Sequence, residues 1–499
     1  MTTLLLAALA LTMNQAVAAA PNQALSIFDD SRVHEIHITL RDGAAERISE
    51  RPFDWVRGDV VIDGEAIARV GLRHKGNSSS GVRTPKLPLK INFGQYQKDQ
   101  HFHGIETLVL NNGFKDPSML REKLAYDLFR SQGLPASRCA FARVYLAVVD
   151  ARPTDGDEPE KPKEEYLGLY TMVEHVDEAF LDEHFGGHAG NLYKLEADPF
   201  GRGGARGPGA QGGQSGPGGP GGLGGAPQDQ PAPPREPGSI AQDERAIELK
   251  TNEDSNDRSR LVAFARAVAD TKSDLKQWLD CESFAKYLAL TSVLVNLDSP
   301  AGSGHNAYLY DDPKSGRFVL IPWDLNEAFG NFQMGSAADM LKWDIATPYV
   351  GPRPLVQRFL ADAECKAKYL AALRTLCEGE FAPAQMKTSI AAQADIIREA
   401  VLADKNAQTR SGMWARSLTD DNSSAGQMGP MQSVVFGLEP FVERRVASVS
   451  AQLAGEDKGA TLSGRQGGPG GPGGPDGPRG QGGPGGPPNG QRPRRPGSP

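Results

Sequence analysis

The chain has 499 residues, is 39% hydrophobic and 23% charged, and carries a formal net charge of −8. That balance excludes a protein built to neutralise a nucleic-acid backbone, which calls for clustered excess cations. After the first twenty residues no run approaches the roughly 18 apolar residues that a membrane-crossing helix needs.

Residues 1–20, "MTTLLLAALALTMNQAVAAA", hold an apolar run from Leu4 to Leu11 and small-residue cleavage points at Ala16-Val17-Ala18 or Ala18-Ala19-Ala20. The pattern predicts a secretory signal and a mature protein that is secreted, periplasmic or at the cell surface. From Val33 to Phe93, "VHEIHITL", "GDVVIDGEAIARVGLRHKG" and "KLPLKINF" alternate apolar with polar residues, with Asp-Gly turns at 42–43 and 63–64. Period two of this kind predicts antiparallel strands. "DPSMLREKLAYDLFRSQG" places Leu120, Leu124, Leu128 and Phe129 on one face, and Gly133 closes it, which predicts a helix. "ARVYLAVVD" and "EYLGLYTMVEHV" are two further strands across a polar, Pro-containing loop.

Residues 200–239 are Gly/Pro-rich and cannot bury enough apolar surface to offset their ordering entropy, so they are expected to be disordered. Apolar periodicity resumes after them, which makes this stretch an insertion within a folded region. Helices are expected at 257–270, 282–296, 355–378, 383–403 and 433–453, and a second disordered tract forms the tail over 456–499. Cys139, Cys281, Cys365 and Cys377 contain no C-x-x-C pair. Cys365 and Cys377 fall about 18 Å apart along one helix, too far to bridge, so free thiols are expected. The reading is α+β, with a strand-rich half over 33–199 and a helix-rich half over 240–455.

Four polar clusters could carry chemistry. "GLRHKGNSSSG" (71–81) runs a strand carrying Arg73 and Lys75 into a loop with Asn77 and Ser78, a cradle for phosphate oxygens or simply a Ser-rich hairpin. "KLPLKINF" puts Lys86 and Lys90 on one strand face, either solvated or aimed into a cleft towards Glu122 of the following helix. "TSVLVNLDSPAGSGHNAYLYDD" ends a buried helix at Asn296 and enters a small-residue loop with Asp298 before His305 and Asn306. In "FVLIPWDLNEAFG" the return strand of that hairpin ends at Asp324, so Asp324 emerges close to Asn306. Two oxygen donors converging from adjacent strand ends suit a hard divalent cation. A capping aspartate at a turn gives the same pattern.

The order of these parts is that of a phosphotransferase: phosphate loop, lysine strand, helix acid, a strand ending in Glu174, then Asp298, Asn306 and Asp324. The motifs "LRHKGNSS", "KLPLKINF", "LREKLAYDLFRSQG", "YLGLYTMVEHVDEAFL", "HNAYLYDD" and "IPWDLNEAFG" together resemble the CotH kinases, atypical protein kinases named for a spore coat protein. The resemblance implies a two-lobed protein-kinase-like fold and transfer of the ATP γ-phosphate, with Mg²⁺ or Mn²⁺, to Ser/Thr of an envelope or secreted protein. It implies Asp298 as catalytic residue and Asp324 and Asn306 as metal ligands. Lys90 or Lys86, and Arg73 or Lys75, would contact the phosphates beside Asn77 and Ser78, with Glu174 near the adenine. A surface adhesion or scaffold protein that keeps the fold without catalysis is the reading from another class.

Overall fold

The computed structural model describes residues 27–41, 43–76, 86–149, 163–201, 236–405, 413–424 and 433–462. The expected signal segment, residues 202–235 of the insertion expected over 200–239, the part beyond 462 of the tail expected over 456–499, and Asn77 and Ser78 lie outside the described residues, whereas Phe200 and Leu462 at the edges of those two tracts are buried in the core.

The strands are β1 (Val33–Arg41), β2 (Val56–Ile62), β3 (Glu65–His74), β4 (Leu89–Asn92), β5 (Thr107–Asn111), β6 (Cys139–Val149) and β7 (Glu165–Glu174). They close into a barrel in the order β1-β2-β3-β4-β5-β7-β6. Antiparallel hairpins build most of it; Asp63 and Gly64 form the β2–β3 turn with φ of 49° and 89°, the left-handed pair a tight hairpin demands. Closure comes from β1 pairing parallel with β6 along its whole length, from Val33↔Phe141 to Arg41↔Val149. This corrects the expectation of a two-lobed kinase-like fold. The strand-rich half is a closed barrel with no open edge, whereas a kinase N-lobe is built on an open sheet.

Alternate residues of the strands fill the barrel interior, among them Ile36, Ile38, Val60, Val70, Leu72, Ile91, Leu108, Leu110, Val144 and Met172. On the side of β5, β6 and β7 the outward residues Val109, Phe141, Leu169 and Val173 are also buried, because the helical region packs there. β5 therefore reads "TLVLN" with all five residues buried and lacks the polar alternation that marks a half-solvated strand.

Helix α1 (Ala44–Glu50) follows β1 directly, so Gly43, at φ 68°, opens a helix where a hairpin turn was expected. α2 (Arg121–Ser131) lies between β5 and β6, and α3 (Glu178–Phe185) follows β7. A second sheet has the order β11-β10-β8-β9, from β8 (Leu192–Leu195), β9 (Ile247–Leu249), β10 (Ala307–Asp312) and β11 (Arg317–Pro322). Around it lie α4 (Ser259–Ala269), α5 (Cys281–Val293), α6 (Ala337–Leu341), α7 (Pro354–Ala361), α8 (Ala363–Glu378), α9 (Pro383–Ala403), α10 (Met413–Thr419) and α11 (Leu438–Ala454). The helix expected over 355–378 is two helices, because Asp362 turns extended and its carboxylate accepts the N–H groups of Glu364 (2.9 Å) and Cys365 (3.0 Å). All four cysteines are free, Cys365 and Cys377 both on α8. No described helix is long and apolar enough to cross a membrane.

Candidate functional site

The β10–β11 register sets Ala307 opposite Pro322, so Asn306 and Trp323–Asp324 leave the hairpin side by side. Both polar residues turn left-handed, Asn306 at φ 60° and Asp324 at φ 56°. Val295, Phe329, Lys115 and Met119 also have positive φ, at 45°, 58°, 62° and 59°. A β-branched residue at such an angle is strained, and strain of this kind persists only where surrounding contacts over-determine it.

Such contacts surround Asp324 and the loop after it. Asp324 N–H donates to the Tyr126 hydroxyl of α2 at 3.1 Å. In the loop that follows, Asn326 donates to the Phe114 carbonyl at 3.2 Å and Asn331 to the Lys115 carbonyl at 2.9 Å. Lys115 Nζ bonds Glu327 Oε1 at 2.9 Å. The N-terminus of α2 is held by Asp116, whose carboxylate accepts the Arg121 N–H (2.9 Å) and guanidinium (2.5 Å), the latter also donating to the Phe436 carbonyl (2.5 Å).

Lys75, just past the end of β3, reaches across from the barrel. Its Nζ donates to Asn111 Oδ1 at 2.7 Å and to Asp324 Oδ1 at 3.2 Å, and lies 5.3 Å from the Trp323 ring centre. Asn111 Nδ2 in turn donates to both Glu122 oxygens, at 2.7 and 2.9 Å. The helix acid therefore meets Lys75 through Asn111, rather than Lys86 or Lys90. Burial pushes Glu122 up to about 7, with Lys75 opposing and Asp324 adding.

Asp298 sits at one edge of this cluster. Its Oδ2 accepts from Asn306 Nδ2 at 2.8 Å, and its Oδ1 lies 3.3 Å from His305 Nε2. Burial raises its carboxyl pKa; His305 opposes this and the nearby Asp324 carboxylate adds to it. Glu327 is raised to about 7 by burial, with Lys115 opposing and Asp298 and Asp324 adding. Asp298 Oδ1 and Glu327 Oε2 are both buried without a hydrogen-bond donor among the described residues. Three carboxylates, Asp298, Asp324 and Glu327, thus share one electrostatic environment, with Lys75 bonded to Asp324 and Lys115 to Glu327.

The other expected residues go elsewhere. Lys86 is buried and ion-paired to Asp404 beyond the end of α9 at 2.7 Å, while Asp404 also accepts the Leu169 N–H at 2.9 Å. A Cβ at Gly168 would lie 2.2 Å from Asp404 Oδ2, so only glycine lets that carboxylate meet the strand. Glu174 is buried and closed by Arg138, through a guanidinium pair, an Nε–H bond of 3.1 Å and a backbone bond of 3.0 Å. Arg73 stacks on Trp55, 4.6 Å to the ring centre, and Lys90 Nζ donates to His175 Nε2 at 2.7 Å. Asn111, Tyr126, Lys115, His305 and Glu327 are the participants that reading the sequence left without a role. Asn111 ends the wholly buried strand, so no alternation marked it.

The family described as CotH kinase protein matches residues 72–447. The chain belongs to the CotH kinase family. The CotH match runs from the end of β3 into α11 and so contains Lys75, Asn111, Glu122, Asp298, Asn306 and Asp324. Inner spore coat protein H of Bacillus subtilis (strain 168) is 24% identical over 315 residues, 62% of this chain and 72% of that protein.

Proposed function

We propose that this CotH-family chain transfers the γ-phosphate of ATP to a Ser or Thr hydroxyl of an exported or envelope protein. The observation that carries the reading is the convergence of Lys75, Asp324 and Asp298 on one cluster, held by Asn111–Glu122 on one side and by Asn306 on the other. Phosphoryl transfer needs little covalent chemistry from the protein; it needs positioned positive charge, an oriented acceptor and a divalent ion.

Mg²⁺ or Mn²⁺ fits the donor set in part. Asp324 and Asn306 are hard oxygen donors at adjacent strand ends, and burial raises the neighbouring Asp298 and Glu327 carboxyls, with the Asp324 charge adding to both. Among the described residues no group of three or more His, Cys, Asp or Glu stands at joint ligating distance. This suits an ion that keeps waters and substrate phosphate oxygens in its shell. When bound, the ion would neutralise charge on the phosphates.

The chain's own groups do the rest. Lys75 donates to a phosphate oxygen, with Asn111 and Glu122 holding its ammonium in place. Asp298 accepts the acceptor's hydroxyl proton, and its raised pKa makes it the better base at neutral pH. Asn306 and His305 fix the direction of that carboxylate. Lys86 and Glu174 take no part, since each is spent on a buried ion pair.

The test is incubation of the purified chain with Mn²⁺ or Mg²⁺, γ-labelled ATP and envelope proteins, beside Asp324→Ala and Asp298→Asn. Label on protein that both substitutions abolish is the expected result. Absence of label together with absence of any ATP-dependent thermal shift overturns the reading in favour of an adhesive or scaffold role. Export is proposed from the leader pattern; N-terminal sequencing of the extracytoplasmic protein, showing a start between Ala18 and Pro21, checks it.

A further inference from the structure

Cys281 is the first residue of α5, and Cys365 lies in the first turn of α8. The two helices pack against each other with these ends together. Lys368 of α8 meets Glu282 at 3.7 Å and Glu364 at 3.5 Å. Lys276, just before α5, meets Asp362 at 3.4 Å and Glu364 at 2.6 Å. Each helix start is also fixed by its own cap. Asp280 accepts the N–H groups of Glu282 and Ser283 at 3.1 Å each, as Asp362 does for Glu364 and Cys365 of α8. This frame brings the Cys281 and Cys365 thiols into hydrogen-bonding contact, and the Cys365 thiol also meets the Asp362 carboxylate.

The two sulfurs differ in access and in charge. Cys365 is buried, whereas Cys281 is partly exposed. Burial raises both thiols. At Cys281 the bond from Cys365 and the Lys276 ammonium oppose that rise, while Asp362 and Asp280 add to it. At Cys365 both the Cys281 thiol and the Asp362 carboxylate add to the rise. Cys281 is therefore the first to lose its proton, at a helix start whose unpaired N–H groups favour a thiolate. The other two thiols stand apart from this contact. Cys139 belongs to the barrel strand β6, and Cys377 lies about three turns further along α8.

We propose that Cys281 and Cys365 are a disulfide-forming site, closed in the exported protein by exchange with an external disulfide. The Cys281 thiolate attacks one sulfur of that disulfide and expels the other as a thiolate, which leaves a mixed disulfide on Cys281. Cys365 then loses its proton and attacks the Cys281 sulfur, expelling the second thiolate. Two protein thiols are oxidised by two electrons, the external disulfide is reduced to two thiols, and the two protons end on those thiols. Asp298, Asn306 and Asp324 all lie between the two cysteines in the chain. The bond thus closes a covalent loop that contains the acidic half of the candidate site, and such closure stabilises a fold by restricting the unfolded chain. The oxidising surroundings are those that the leader pattern implies. Nothing in this bond depends on phosphotransfer.

The experiment exposes the purified, reduced whole chain to oxidised glutathione at about pH 8, then alkylates it in denaturant and maps its peptides without reductant. Two of the four thiols should escape alkylation, with one peptide pair joined through Cys281 and Cys365. The melting temperature should rise by roughly 5 °C and fall back with dithiothreitol. Cys281→Ser should show neither the joined peptides nor the rise, and should leave Cys365 open to alkylation. Cys365→Ala, checked for a native melting transition, should hold glutathione on Cys281. Four alkylated thiols after oxidation, a join through Cys139 or Cys377, or a lasting glutathione adduct on wild-type Cys281 overturns the proposal. Glutathione held on Cys365 in Cys281→Ser, with none on Cys281 in Cys365→Ala, overturns the order of attack and leaves the bond standing. The chain recovered from the extracytoplasmic fraction should already carry the bond. Full reduction there overturns its place in the exported protein.

Discussion

Lys75 and Lys86 lie on either side of residues 77–85, and each joins the barrel to the helical region, to opposite effect. Lys86 is almost wholly buried, and its carboxylate partner Asp404 is also bonded to the backbone of β7, with Gly168 leaving room for it. Lys75 keeps 17% of its side chain exposed and divides its ammonium between Asn111 and Asp324, whose side chain is 35% exposed. The first is a closed contact with both side chains almost fully buried. The second is a contact in which both the ammonium and the carboxylate stay partly exposed. The comparison teaches that burial of a lysine says little about its role; what counts is whether its partner is exhausted.

The sharpest way to break this contrast is to remove each ammonium in turn. Lys75→Met should lower γ-phosphate transfer by about 10³-fold, the loss expected when a positioned charge is removed from a transfer site, while the melting temperature stays near that of wild type. Lys86→Met should do the reverse. It strands Asp404 in the interior and should cost about 3–5 kcal/mol in chemical denaturation. Adding Asp404→Leu to Lys86→Met should restore much of that stability, since the uncompensated charge is gone. If Lys86→Met costs transfer but not stability, the assignment of the two lysines is inverted.

A smaller effect probes the Lys75 side alone. Because Glu122 titrates near 7 in the fold, against an ordinary value of 4.5, the native state holds a proton that the unfolded chain has released between those values. Stability should therefore fall as pH rises through that window, at a slope of up to about 1.4 kcal/mol per pH unit from this group. Glu122→Gln should flatten the slope in urea titrations across that range. An unchanged slope would show that the carboxylate stays ionised against Asn111 and Lys75. The smallest expected effect is at a distance from both lysines. Asp362→Ala removes the cap that starts α8 and should cost about 1 kcal/mol, with transfer unaltered.

Strain separates the two regions as well. In the barrel, positive φ outside glycine falls at turns and at the bulged β2–β3 pair, such as Asp63 and Arg69. In the helical region it gathers on Val295, Asn306, Asp324 and Phe329, around the carboxylates. Such angles are held there by specific bonds, Asn306 to Asp298 and Tyr126 to Asp324, and not by local preference.

Local pattern by itself determined a good deal. Alternation marked most barrel strands, the face of α2, and the hairpin whose register brings Asn306 beside Asp324, because each is decided within a few residues. The break at Asp362, the strand β5 and the helix α1 escaped it, since a single capping carboxylate or a strand buried on both faces leaves no periodic trace. Closure of the barrel was decided only in three dimensions, because the parallel β1–β6 ladder joins segments more than a hundred residues apart. So was the choice among lysines. Lys75, Lys86 and Lys90 stand alike on alternating strands in the sequence, and only the packing of the helical region against the barrel sets Asp324, Asp404 and His175 opposite them.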